Sequence, residues 1–369
     1  MKFKKQFSLT AAIVTVVCLS LLTGGCRPDT PIKPVPQTTI VEQTENHQLA
    51  TPEGMIDYLA DLPPVFDVTK WENQYGPGIT ITTRHYEIHT TMLEPLILSR
   101  VPGFMESALT AYQKQLPKPV ETNKKFTVYL FADRRQWEDF TKEFTGENAE
   151  MYLKIKKGAY YLNGACVAYN IGRTRIFSVL GHEGWHQFNS RHFVYRLPSW
   201  LDEGLATMFE SSRYEDGFFY FVPQRNGGRL VSLKKLVNSG KFIPLGKLLT
   251  LNPGEVVASA DIEAVMAFYA QSYALIRFLK EDDYGINLMK FQNMLLDAKN
   301  GKWPLDRNLS KLASDRNVNL TVEWNRYVSP KLFEYYIDNH KSLQENYFKF
   351  CRKIVYNIHL KPDFEAAAK

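Results

Sequence analysis

Hydrophobic and polar positions follow two rhythms along this chain, and the change from one to the other marks out its elements. Ile79-Thr80-Ile81-Thr82-Thr83 and Tyr86-Glu87-Ile88-His89-Thr90 are rich in β-branched residues and predict one long strand. A helix is expected over about 94–115, with Leu96, Met105, Leu109 and Tyr112 near helical spacing and Pro102 interrupting its first half. Residues 126–131 read as a buried strand, and 134–144 as a short helix with Trp137 and Phe140 inward. Asn163-Gly164 suits a type I′ turn, in which both central residues need positive φ; it predicts a hairpin of 154–162 with 165–171, Gly158 being a candidate bulge.

The rhythm then turns helical. A helix is expected over about 174–190, capped by Thr174. Pro198-Ser199 opens another, packed through Trp200, Leu201, Leu205, Met208 and Phe209. Beyond Ser211 the pattern predicts helices at 230–238, 244–251, 261–280, 287–298, 308–316 and 322–338, then a tail to Lys369. The fold class is therefore α+β: an N-terminal α/β part with a small mixed or antiparallel sheet, followed by a largely helical C-terminal part.

Lys2, Lys4 and Lys5 precede an apolar run from about residue 7 to 22, too short to span a membrane and built like a secretory signal. Leu22-Thr23-Gly24-Gly25-Cys26 resembles a bacterial lipobox, with Thr23 where a branched aliphatic is usual. The resemblance implies a signal over 1–25, lipid on Cys26, and an exported chain anchored to a membrane of the cell envelope. An ordinary cleaved signal is the other reading. Four prolines within 28–36 and a Thr/Gln/Glu-rich continuation make 27–55 an expected tether. Residues 56–212 then form a core and 213–369 a helical part completing its cleft.

Charge adds an exclusion. The formal +6 falls to about +3 without the three leading lysines, and the remaining basic residues are scattered, so no nucleic-acid partner is expected. Cys166 and Cys351 are the cysteines left to the folded part; they are either paired or two separate buried thiols. Oligomeric state leaves no trace in the pattern.

The candidate chemistry lies in His182-Glu183-Gly184-Trp185-His186, an H-E-x-x-H motif. On a helix its histidines sit at i and i+4, one turn apart on one face, where two imidazoles can share a zinc ion. Glu183, one step round, is placed to take a proton from water activated there. Glu203, in Leu201-Asp202-Glu203-Gly204-Leu205-Ala206, would be the third ligand and leave a fourth position open. Gly181 and Gly184 inside this helix point to tight packing, to clearance beside the base, or to both. Glu210 reads as a surface glutamate, with a hydrogen bond to a ligand histidine as the alternative. His85 and His89 read as strand-surface residues.

The order H-E-x-x-H then downstream glutamate resembles the gluzincin zinc metallopeptidases. Residues 198–206 are similar to the peptidase MA-like domains of bacterial exported proteins, and Asp202 stands where the aminopeptidase branch has asparagine. The resemblance implies one zinc per chain held by His182, His186 and Glu203. It also implies peptide hydrolysis with Glu183 as general base and a phenol as oxyanion partner, Tyr269 first and Tyr273 second, core aromatic packing being the other reading of each tyrosine. Residues 165–171 would pair with an extended peptide or protein substrate. A non-catalytic envelope scaffold and a zinc hydrolase of non-peptide amides are the alternatives.

Overall fold

Six strands form one mixed sheet in the computed structural model, which describes residues 50–155, 158–258, 261–316 and 321–356. The expected signal, Cys26 and all but the end of the tether lie outside the described residues. The folded part begins with helix α1 (Pro52–Leu59), whose first turn is capped by the Thr51 hydroxyl, so the expected tether stops a few residues early.

Strands β1 (Asp67–Lys70), β2 (Ile79–Thr82) and β3 (Tyr86–Thr90) form an antiparallel meander. The one long strand expected over 79–90 is thus two strands and a tight turn. The turn is set from outside: Glu106 accepts from the Thr83 hydroxyl, the His85 backbone amide and His85 Nδ1, at 2.6–2.8 Å. The helix expected over 94–115 is also divided, into Pro95–Leu98 and α2 (Val101–Gln113). Strand β4 (Phe126–Phe131) lies parallel to β3 and is followed by α3 (Arg134–Thr145), with Asp133 capping and Trp137 and Phe140 buried. The turn at Asn163 and Gly164 has φ of 49° and 84° and joins β5 (Ala159–Leu162) to β6 (Ala165–Tyr169) as predicted, though both strands are shorter than expected.

The sheet order β1-β2-β3-β4-β6-β5 corrects one functional expectation. Strand β6 is flanked by β4 and β5, so its backbone groups are already paired and it cannot receive a substrate strand. The outer edge on that side belongs to β5.

Alternation along β6 divides the core. Ala165, Val167 and Tyr169 join Trp137, Phe140 and Tyr160 under α3, while Cys166 and Ala168 face the larger cluster on the other side. That second face is covered by α2 and by α4 (Arg173–His192), the helix carrying the H-E-x-x-H motif. Its amino end is set by Gly172 at φ 99°, and not by Thr174, which lies in the first turn. Gln187 fastens the helix to the sheet by donating to the carbonyls of Thr127 and Gly164 at 2.8 and 2.7 Å.

Helix α5 (Ser199–Ala206) follows, and then a two-stranded hairpin, β7 (Ser212–Glu215) and β8 (Phe218–Phe221), in a stretch expected to be helical. The helical part comprises α6 (Gly227–Ser239), α7 (Ile262–Glu281), α8 (Leu288–Asn300), α9 (Arg307–Ser314), α10 (Thr321–Tyr327), α11 (Ser329–Tyr336) and α12 (His340–Tyr356), with two shorter helices, Leu245–Thr250 and Pro253–Ala258, between α6 and α7. Helices α10 and α11 divide the single one expected at 322–338, and α12 replaces much of the expected tail. The whole is a mixed α+β fold with a small mixed sheet and a helical C-terminal part. Cys166 and Cys351 are both buried and free, which decides against a disulfide between them. No helix among the described residues is long and apolar enough to cross a membrane.

Candidate metal centre

Helix α4 brings His182 and His186 to one face, and α5 crosses it to place Glu203 opposite them. Glu203 Oε2 lies 3.3 Å from His182 Nε2 and 3.6 Å from His186 Nε2. All three side chains are buried, and among the described residues none of these three atoms has a hydrogen-bond partner. Leaving such groups dry and unpaired costs several kcal/mol, on the order of 1–3 for each neutral one and more for the charge. Ligand atoms about 2.0–2.2 Å from one tetrahedral ion stand about 3.3 Å apart, so the donor set fits a metal ion in both spacing and chemistry. His182, His186 and Glu203 are the one such group among the described residues.

The far nitrogen of each ring is held by a carboxylate. His182 Nδ1 donates to Glu210 at 2.8 Å, and His186 Nδ1 to Asp202 at 3.2 Å. These bonds orient both rings so that, in the neutral form that can ligate, the proton stays on Nδ1 and Nε2 is left for a metal. Asp202 also accepts from Trp185 Nε1 at 2.9 Å and Asn189 Nδ2 at 3.0 Å, so the aspartate ties α5 to α4 at three points. Glu210 is not a surface residue. Its side chain is 4 % exposed and receives both Arg229 Nε and Nη2, at 2.9 and 2.6 Å, together with Asn226 Nδ2 at 2.8 Å.

The charges respond accordingly. Burial would push Glu210 up, but the Arg229 guanidinium and His182 bring it down to about 2. Burial likewise opposes charge on Glu203, and His186 and His182 hold it at about 2. Burial would also lower both histidines, yet the carboxylates around them win. His182 is raised by Glu203 and Glu210, and His186 is raised well above its ordinary value by Asp202 and Glu203. Glu183 differs in kind. Burial carries it up to about 7 against the pull of the histidines, and among the described residues neither of its carboxylate oxygens has a partner.

The glycines settle their two readings. A Cβ on Gly181 would stand 2.2 Å from the Phe209 carbonyl, and one on Gly184 2.5 Å from the Tyr112 hydroxyl, which itself donates to the Gly181 carbonyl at 2.7 Å. Both make room for packing, and neither is clearance for a substrate. Gly204 plays the same part for α5: a Cβ there would meet Ile276 and the Ser272 carbonyl at 2.7 and 2.8 Å, so α5 and α7 touch almost backbone to backbone. That close crossing brings Tyr269 to the centre, its ring 6.4 Å from the His182 ring and the Arg229 guanidinium 4.9 Å above it.

Tyr273 is held elsewhere, donating to the Pro223 carbonyl at 2.7 Å and accepting from Arg277 at 2.9 Å. His85 and His89 pair with Glu106 and Glu87, away from the group. Asp202 and Arg229 escaped the sequence reading. Asp202 had a signal in its place beside Glu203. Arg229, 26 residues on from Glu203 in a different helix, had none. No protein-family model matches this chain, and no curated protein matches it at a significant level.

Proposed function

We propose that the chain is an exported, membrane-tethered zinc metallopeptidase with a zincin-like fold. One observation carries the reading: two imidazole nitrogens and a carboxylate oxygen converge, buried and unpartnered, beside a second carboxylate that is itself buried and unpartnered. A merely structural metal needs the first three groups but gives no reason to bury Glu183 next to them.

When bound by His182, His186 and Glu203, zinc supplies a Lewis acid that polarises the scissile carbonyl and brings the pKa of water to about 7. Glu183, buried and unpartnered beside the ligands, takes the proton of the attacking water and passes it to the leaving amine nitrogen. Asp202 and Glu210 hold the histidines in the tautomer that ligation needs. The Tyr269 hydroxyl donates to the oxygen that gains charge in the transition state, helped by the guanidinium over its ring. An extended substrate adds to the outer edge of β5, the hairpin strand packed under α4.

The test is a peptide-library digest by the purified chain, read by mass spectrometry with chelator and after zinc is restored. Cleavage that stops with chelator and returns with zinc is expected. A zinc-loaded protein that cleaves no peptide would remove the reading.

A further inference from the structure

A cavity of about 240 Å³ adjoins the metal group and has no part in the chemistry above. Glu210 is common to both, since its carboxylate holds His182 while the residue lines the cavity. Among the described residues, no aliphatic or aromatic side chain lines this space. Its walls carry the hydroxyls of Ser178, Ser211 and Ser232, and three arginines face it: Arg175, Arg225 and Arg229. Arg229 is buried and its charge is matched by Glu210. Arg175 is half-buried and Arg225 exposed, and among the described residues neither guanidinium has an ion-pair or side-chain hydrogen-bond partner. Two positive charges are therefore unmatched around one polar cavity. Gly227, on its wall, borders open space: among the described residues a Cβ there would meet nothing within 4 Å.

Position ties the cavity to the metal. Ser178 precedes His182 by one turn of α4 and Arg175 by two, so the cavity begins about 6 Å from the ligand along the helix and reaches about 10 Å. An extended peptide at about 3.3 Å per residue covers that distance with two or three residues. Unpaired guanidiniums recognise carboxylates by paired, charge-assisted hydrogen bonds, while the absence of apolar lining gives a hydrophobic side chain nothing to bury against.

We infer that this cavity is a specificity subsite that takes a carboxylate of the substrate, two or three residues from the scissile bond, through Arg175 and Arg225. The inference rests on the peptidase reading for its substrate, and the same carboxylate chemistry is offered by an acidic side chain or by a peptide's C-terminus.

The test uses the full chain carrying Glu183→Gln and loaded with zinc, so that bound peptide persists. Fluorescent peptide pools containing Glu, or Gln in its place, are titrated as free acids and as C-terminal amides, with binding read by anisotropy. A carboxylate-bearing pool should bind about ten- to a hundred-fold more tightly than its neutral counterpart. Adding Arg175→Gln and Arg225→Gln should collapse that ratio, while zinc content and melting temperature report an intact fold. Preference that follows Glu in amidated pools assigns an acidic side chain, and preference that follows the free acid assigns a terminus. Equal binding of all four pools, or a ratio that survives loss of both arginines, overturns the subsite. Discrimination without any cleavage by the wild-type chain would leave the subsite standing and remove the peptidase reading. Cleavage without discrimination would do the reverse.

Discussion

Arg229→Met isolates the contribution of the buried ion pair behind His182. The arginine meets Glu210 at two points, 2.9 and 2.6 Å apart, with side chains 8 % and 4 % exposed. Deleting one partner of such a pair strands the other charge and costs about 3–5 kcal/mol. Titration gives a second route to the magnitude. Glu210 falls from its ordinary 4.5 to about 2, chiefly because Arg229 outweighs burial. At about 1.4 kcal/mol per pH unit, that is about 3 kcal/mol. Because the folded-state value is depressed, this stability is fully present above pH 4.5 and is lost as the pH falls towards 2.

Denaturant unfolding with chelator present, at pH 7 and at steps down through that window, measures both quantities. Arg229→Met should lose about 3–5 kcal/mol at pH 7, or roughly 6–20 °C in melting temperature. Its deficit should shrink on acidification, since the wild type loses the same contribution there. A variant within 1 kcal/mol of the wild type at pH 7, or a deficit unchanged at low pH, would refute the reasoning.

Gly184→Ala should destabilise the chain although it improves helix propensity, because its Cβ would stand 2.5 Å from the Tyr112 hydroxyl. In a Tyr112→Phe background the same change should cost less or stabilise by up to about 1 kcal/mol, and additive single effects in the double-mutant cycle would contradict the contact. Metal affinity should rise with pH and binding should release protons, because the carboxylates around His182 and His186 favour protonated rings that cannot ligate. Calorimetry in buffers of different ionisation enthalpy measures this, and binding without proton release would count against it. Cys166 and Cys351 should react with a thiol reagent only upon unfolding; protection of both thiols in denaturant, relieved by reduction, would restore the disulfide.

Much of this arrangement was legible because its causes are local. The i, i+4 spacing of His182 and His186, the Asn163-Gly164 turn and the inward Trp137 and Phe140 each follow from a few neighbouring residues. What escaped is fixed from a distance. The turn between β2 and β3 contains no glycine or proline and is bound by Glu106. Glu210 reads as a surface residue until Arg229 arrives from α6 to match its charge. Two omissions had visible signals. Asp216-Gly217 is a hairpin turn dipeptide with φ of 50° and 83°, and Tyr347, Phe350, Cys351 and Ile354 mark the buried face of α12 at helical spacing.

The central claim is that a carboxylate beside a metal performs the chemistry. Glu183→Gln separates the two, because Glu183 is absent from the ligand group while both of its oxygens lie buried next to it. The direct measurement is zinc content and peptide turnover on one preparation of that variant. One zinc per chain with turnover lowered by at least about a hundred-fold is expected. Wild-type turnover with zinc retained would contradict the account.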